Sequence, residues 1–358
     1  MTTYKTENLN IVAIDHMPSP DEIKARVPLD DEVIATVIAG RKAFLDILDR
    51  RDPRLFVVVG PCSIHDPRAG IDYAQRLAAL AEDVSGTLHL AMRVYFEKPR
   101  TATGWKGFIN DPYMNDSFRV DEGMEKARHF LREVARVGLP IATEALDPNA
   151  PQYYGDLISW TAIGARTSES QTHREMASGL STPVGFKNTT DGDVTAAVNA
   201  ILSAANPHSF LGLSGEGQSA IVRTRGNRYG HLVLRGGERP NYDSVSVSCA
   251  EQALAKAGLP QNIVIDCSHG NSWKKPEMQP LVMKDVIHQI RDGNQSIVGL
   301  MIESNIVAGN QPIPADLSQL KYGCSVTDAC VGWETTEEMI RGADAVLRDV
   351  LPRRSAAA

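Results

Sequence analysis

The chain has 358 residues, 42% hydrophobic and 23% charged, with a formal net charge of −7. This is the composition of a globular protein large enough to bury a core without staples, and its acidic balance argues against a general nucleic-acid or membrane-surface binder, which needs a basic face. Five scattered cysteines, Cys62, Cys249, Cys267, Cys324 and Cys330, give no disulfide framework, and with neither a signal pattern nor an apolar run of roughly 20 residues the expectation is a cytoplasmic protein.

Residues 1–50 stand apart as an N-terminal arm followed by an amphipathic helix over 30–49. Its apolar positions Val33, Ile34, Val37, Ile38, Phe44, Leu45 and Leu48 keep helical spacing. Short β-branched runs then predict strands at 55–60, 89–96, 140–144, 161–165, 183–188, 232–235, 262–266 and 296–303, alternating with helical stretches. Parallel neighbours need helical crossovers and closure removes exposed edges, so eight such units predict an α/β fold of the (β/α)8 TIM-barrel type spanning 51–352. A doubly wound open sheet is the runner-up, although it would gather its polar residues at one switch point. The helix before the first strand either plugs the barrel base or joins subunits. Between 211 and 234, two β-like runs flanking Arg-Gly-Asn-Arg-Tyr-Gly predict an inserted β-hairpin. Residues 353–358 are expected to fray.

Chemistry in such barrels sits where strands end. At those ends stand Arg93 and Lys98, Glu144, Arg166, Lys187, Arg235, Asp266 with His269, and Glu303. Cys62, His269, Glu303 and Asp328 are candidate metal ligands, a mixed sulfur, nitrogen and oxygen set suited to one catalytic divalent ion such as Mn, Fe, Co or Zn. The segment RVYFEKPRTATGWK is locally cationic. Arg93, Lys98, Arg100, Arg166, Lys187 and Arg235 together suit a substrate with more than one anionic group, because arginine forks grip carboxylate and phosphate oxygens. Some of these cations are alternatively structural, paired to Glu97, Glu144, Glu169 or Asp266. Lys187 also fits a Schiff-base nucleophile.

The stretches GPCSIHDP (60–67), MRVYFEKPRTATGWKGFINDP (92–112), ATEALDPNAPQYYGDLISWTAIGARTSESQTHREMASGLS (142–181), PVGFKN (183–188), LRGGERPNY (234–242), DCSHGNS (266–272), MIESNI (301–306) and SVTDACVGW (325–333) together resemble 3-deoxy-D-arabino-heptulosonate 7-phosphate (DAHP) synthase of the type I, feedback-regulated group. The resemblance implies condensation of phosphoenolpyruvate with erythrose 4-phosphate, the first step of the shikimate pathway to aromatic amino acids. It implies a divalent metal on Cys62, His269, Glu303 and Asp328. Arg93, Lys98, Arg166, Lys187 and Arg235 match the phosphoenolpyruvate set, and Arg100 with Thr101 match the aldose phosphate site. Lys98, with His269 assisting, is the candidate proton donor to the alkoxide, and Glu144 with Lys187 would hold the attacking water. Thr189 and Ser168 depart from the usual Gly and Thr. Such enzymes are homodimers or homotetramers inhibited by an aromatic amino acid, and Asn8, Pro151, Gln152, Ser181 and Phe210 match that effector pocket. The wording of CSHGNS, MIESNI and SVTDAC leans toward the tyrosine-sensitive form.

Overall fold

The computed structural model describes residues 6–98 and 104–354. Two helices precede the first strand. Helix α1 (Pro20–Arg26) opens with a reciprocal capping box between Ser19 and Glu22, and α2 (Asp31–Leu48) opens on Asp30, whose carboxylate accepts the Val33 N–H at 3.0 Å. The alternation begins with β1 (Leu55–Gly60), α3 (Pro67–Asp83), β2 (Leu88–Arg93), α4 (Val120–Arg136), β3 (Ile141–Glu144), α5 (Ala150–Tyr154) and β4 (Trp160–Ile163). It continues through α6 (Gln171–Gly179), β5 (Val184–Lys187) and α7 (Thr195–Ala204), is interrupted by β6 (Ser209–Leu213) and β7 (Ser219–Arg223), and resumes at β8 (Gly230–Leu234). Helix α8 (Ser244–Lys256), β9 (Ile263–Asp266), α9 (Gln279–Arg291), β10 (Ile297–Glu303) and α10 (Trp333–Leu347) complete it.

Eight parallel strands close in the order β1-β10-β9-β8-β5-β4-β3-β2, so each barrel strand lies beside its predecessor in the chain. Val58 of β1 stands opposite Ala91 of β2 and Met301 of β10. Alternation along the strands divides the core in two. Phe56, Val58, Ala91, Ala142, Trp160, Ala162, Val233, Val264 and Met301 fill the barrel interior, while Leu55, Val57 and Val59 pack outward with Tyr73 and Leu77 of α3.

Of the two roles open to the helix before β1, α2 closes the barrel base. Phe44, Ile47 and Leu48 join the interior cluster, and the Phe44 ring meets Phe56 edge-on with centroids 5.0 Å apart. Behind them the Trp160 indole N–H donates to His231 Nε2 at 3.0 Å, which satisfies both rings inside an apolar plug.

Two expectations are corrected. The hairpin is antiparallel β6–β7, with Ser209 opposite Arg223, and it turns at 214–218 rather than at Arg-Gly-Asn-Arg-Tyr-Gly. That hexapeptide is the return to the barrel. Its Asn227 amide is buried and donates to the carbonyls of Ala177, Leu180 and Thr182, and the run after it is barrel strand β8. The tail does not fray from 353: Leu351–Arg353 form a 3-10 turn, and Arg354 donates to the carbonyls of Gln295 at 2.6 Å and Ile297 at 2.9 Å. Among the described residues no helix is long and apolar enough to cross a membrane.

Candidate active site

The register that points Val58, Ala91, Ala142, Ala162, Val233, Val264 and Met301 inward also aims the residues two positions later into the barrel mouth. Those are Gly60, Arg93, Glu144, Gly164, Arg235, Asp266 and Glu303, and on β5 the position facing them is Lys187. One end of the barrel is thereby apolar and the other charged. Arg93, Glu144, Lys187, Arg235, Asp266 and Glu303 are each less than a tenth exposed, so their charges act in a medium less screened than water.

The metal candidates arrive from the two ends of the chain. Cys62 lies two residues beyond β1. Asp328 lies on the loop after β10, which stays in register with that strand because Val331 N–H donates to the Glu303 carbonyl at 3.0 Å and Asn305 N–H to the Val331 carbonyl at 2.9 Å. A hydroxyl pair, Ser63 with Thr327 at 2.7 Å, staples the two loops together. Ligand atoms of Cys62, Glu303 and Asp328 consequently lie within 4.8 Å of one another, with Cys62 Sγ 3.8 Å from Asp328 Oδ2. His269 stands at the edge of this trio, its Nε2 3.7 Å from Glu303 Oε1.

His269 is held from behind. Its Nδ1 is 2.9 Å from Asp266 Oδ2, an arrangement that places the ring proton on Nδ1 and leaves the Nε2 lone pair facing Glu303. The same Asp266 oxygen takes Lys187 Nζ at 2.9 Å, and Ser268 donates to Oδ1 through Oγ at 2.6 Å and through its backbone N–H at 3.0 Å. Burial alone would raise the Asp266 carboxyl, but His269 and Lys187 hold it well below the usual carboxylate range. His269 itself adopts a left-handed backbone, φ 54°, at a cost of about 1–2 kcal/mol for a residue with a Cβ. The Lys274 N–H, donating to the His269 carbonyl at 2.8 Å, secures that turn.

Burial likewise opposes ionisation of Glu303, yet His269, Arg93 and Lys98 outweigh it and lower its pKa; Asp328 is lowered against burial by Lys98, His269 and Lys274. Burial and then Glu303 push the Cys62 thiol up, against the pull of Lys98, whose Nζ sits 3.0 Å from Cys62 Sγ. Two ionised carboxylates and a sulfur within 4.8 Å of one another, with an imidazole nitrogen 3.7 Å from one of those carboxylates, form a donor set that fits a divalent transition ion.

The cations line the adjoining wall. Arg93 reaches Glu303 Oε1 at 2.9 Å and lies 3.5 Å above the Tyr95 ring, whose buried hydroxyl has no hydrogen-bond partner among the described residues. Arg235 is buried beside Arg166, and burial together with that like charge, against the attraction of Asp266, lowers its pKa. Two guanidiniums facing one space attract a multiply charged anion. Glu144 Oε1 is sealed from solvent and has no hydrogen-bond partner among the described residues. It lies where a Cβ on Gly164 would stand 2.4 Å away, so the glycine makes its room. Arg100 and Thr101 lie outside the described residues.

Some supports left no trace in spacing or composition. Gln279, at the start of α9, clamps Glu303 by donating to its carbonyl and accepting its N–H, both at 3.0 Å. Ser168, one of the two departures, donates to the Lys187 carbonyl at 2.7 Å. Asp266 was legible only as a possible partner for a cation, not as the joint between Lys187 and His269. Of the effector candidates, Pro151, Gln152 and Ser181 line one cavity of about 280 Å³ with Arg41 and Lys24. Phe210 lies on β6 and Asn8 on the exposed arm, and neither lines it.

The chain matches the sequence profile described as the DAHP synthetase I family over residues 27–341. It is 55% identical over 334 residues to the "Phospho-2-dehydro-3-deoxyheptonate aldolase, Tyr-sensitive" of Escherichia coli K12, a match covering 93% of this chain and 94% of that protein. It is 49% identical over 338 residues to the Phe-sensitive counterpart from the same organism, covering 94% and 96%. Among solved structures, the phospho-2-dehydro-3-deoxyheptonate aldolase of Francisella tularensis SCHU S4 superposes with a TM-score of 0.92 at 46% identity, covering 95% of this chain and 99% of that one.

Proposed function

The chain belongs to the DAHP synthetase I family, and from that premise we propose that it is a metal-dependent, tyrosine-inhibited transferase joining phosphoenolpyruvate to erythrose 4-phosphate. The products are DAHP and phosphate. The observation that carries this reading is the convergence of Cys62, Glu303 and Asp328 within 4.8 Å beside a wall of buried Arg93, Lys187 and Arg235. That pairing places an electrophile site next to a polyanion site.

Cys62, His269, Glu303 and Asp328 hold the divalent ion, which supplies Lewis-acid polarisation of the aldehyde oxygen. Arg166, Arg235 and Lys187 grip the phosphate of phosphoenolpyruvate and Arg93 its carboxylate, turning C3 toward the aldehyde carbon and converting a bimolecular encounter into an oriented one. As the carbon–carbon bond forms, the aldehyde oxygen gains charge and takes a proton from Lys98. C2 becomes electron-poor. Glu144 accepts a proton from the water that adds there, and the C2–O bond to phosphate then breaks. Lys187 serves as a charge in this scheme. Its buried ion pair with Asp266 supports anion binding over a Schiff base, which needs a free amine lone pair.

The cavity bearing Pro151, Gln152 and Ser181 is the effector site, with tyrosine as the ligand, in keeping with the Tyr-sensitive relative. The exposed apolar side chains of the arm, Leu9, Ile11, Val12 and Ile14, support its packing on a second subunit of a homodimer or homotetramer. A steady-state assay of phosphoenolpyruvate consumption tests the reading. Turnover should require erythrose 4-phosphate, stop with a chelator, return with Mn, and be inhibited by Tyr more strongly than by Phe or Trp. Full activity in metal-free enzyme would overturn it.

A further inference from the structure

The barrel end opposite the chemistry carries a second cationic hollow. A cavity of about 330 Å³ opens between the end of α2 and the starts of β9 and β10, lined by Arg50, Arg54, Arg354, Gln261 and Gln295 among others. Arg54 is neutralised there by Asp52, which it grips through Nε and Nη2. Asp49, the other acid on the wall, is engaged by Arg51 and by the Tyr229 hydroxyl.

Arg50 and Arg354 differ from Arg54 in having no carboxylate partner among the described residues. Arg50 uses only Nη2, on the Gln261 carbonyl at 3.1 Å and the Asn262 side-chain oxygen at 2.9 Å. Arg354 uses Nε and Nη2, on Gln295 and on the Ile297 carbonyl. Nε and Nη1 of Arg50 and Nη1 of Arg354 are left without a protein acceptor among the described residues. Both residues are partly buried, and that burial lowers the pKa of each, Arg354 to about 10 with the charge of Arg50 as the second cause. Arg50 is also held at φ 60°, a left-handed turn that a glycine normally takes after a helix, and this turn directs its side chain into the cavity wall. Two like charges at one hollow, each with an N–H donor left over, meet the requirements of an oxyanion site.

We propose that the base of the barrel binds a phosphate group through Arg50 and Arg354, at a site separate from the catalytic mouth. Two guanidiniums match the two negative charges of phosphate, and the volume leaves room for a small organic residue. The group is supplied either by free phosphate or by a small phosphorylated metabolite.

Equilibrium dialysis of labelled inorganic phosphate without other phosphorylated compounds, compared between wild type and variant so that binding at the catalytic mouth cancels, tests this. Wild-type protein should bind one equivalent per chain more than the Arg50→Gln/Arg354→Gln variant, whose kcat should be unchanged. The Arg50→Lys/Arg354→Lys variant, which keeps charge and loses the spare guanidinium N–H donors, should bind that equivalent at least ten-fold more weakly and remains informative if the glutamine pair fails to fold. Competition by glycerol 3-phosphate at lower concentration than phosphate assigns the site to a phosphorylated metabolite, and the reverse order assigns it to the free ion. Equal stoichiometry in wild type and variants overturns the proposal.

Discussion

Replacing Asp266 by Asn separates the joint on which both halves of the candidate site rest. The carboxylate is fully buried and takes four contacts: Lys187, His269, and the hydroxyl and N–H of Ser268. Asn keeps the shape and one acceptor but removes the charge and turns an N–H donor toward Lys187 or His269. Leaving a buried ammonium without its partner costs about 3–5 kcal/mol. For a chain of this length, with an unfolding entropy of about 2 cal/mol/K per residue, that lowers Tm by about 4–7 °C. The His269 ring keeps Ser268 Oγ, 2.7 Å from Nδ1, but loses the carboxylate that orients it, which weakens metal binding by about 10–100-fold. With Lys187 and His269 both displaced, kcat/KM for phosphoenolpyruvate should fall by about 10²–10³, or about 3–4 kcal/mol of transition-state stabilisation. Steady-state kinetics at saturating metal, a metal titration and a thermal melt read the three effects separately. A variant with unchanged metal affinity and kcat/KM within two-fold of wild type would refute the joint.

Other outcomes follow from the same geometry. Gly164→Ala should cut kcat at least ten-fold while melting near wild type, because its methyl would stand 2.4 Å from Glu144 Oε1; unchanged kcat would remove Glu144 from the reaction. Gln152→Ala and Ser181→Ala should raise the half-inhibitory concentration of Tyr at least ten-fold with kcat preserved, and unchanged inhibition in both would move the effector elsewhere. Stability of the metal-free protein should peak near pH 6.5. Burial lowers His89 and His231 from 6.5 to about 4, so the unfolded chain binds more protons between those values and stability is lost as pH falls through them. Glu97, raised by burial and Asp147 to about 8, acts oppositely: its contribution is lost as pH rises from about 4.5 to 8. Two histidines against one glutamate leave about one proton, or about 1.4 kcal/mol per pH unit, on the acid side. Urea midpoints across pH 4.5–8 measure this, and Glu97→Gln should flatten the alkaline limb; a flat wild-type profile would contradict it.

The barrel was legible because its strands are buried on both faces and read as short apolar runs, five of the eight ending in a residue whose charge has no place in a core. Arg93, Glu144, Lys187, Asp266 and Glu303 all close their strands in this way. The same rule predicts a barrel strand at 232–235, as β8 bears out, but lets that run double as the hairpin's second arm, because the true arm, β7, alternates exposed and half-buried residues and carries the weaker signal. What sequence does not display is the hydrogen bonding that aims a ligand. Gln279 lies 24 residues from Glu303 and grips only its backbone, so residue type and spacing give no hint of the clamp. Arg354 was assigned to a fraying tail because only the folded chain brings the starts of β9 and β10 to it.

The central claim is that side chains from β1, β9, β10 and the loop beyond share one ion. Reconstitution with Co(II), read by metal content per chain and by sulfur-to-metal charge-transfer absorption, tests it most directly. One equivalent should bind with the charge-transfer band present. Cys62→Ser should abolish the band, and His269→Ala, Glu303→Ala and Asp328→Ala should each weaken binding at least ten-fold. Undiminished binding in all four variants, or a band that survives in Cys62→Ser, would contradict the claim.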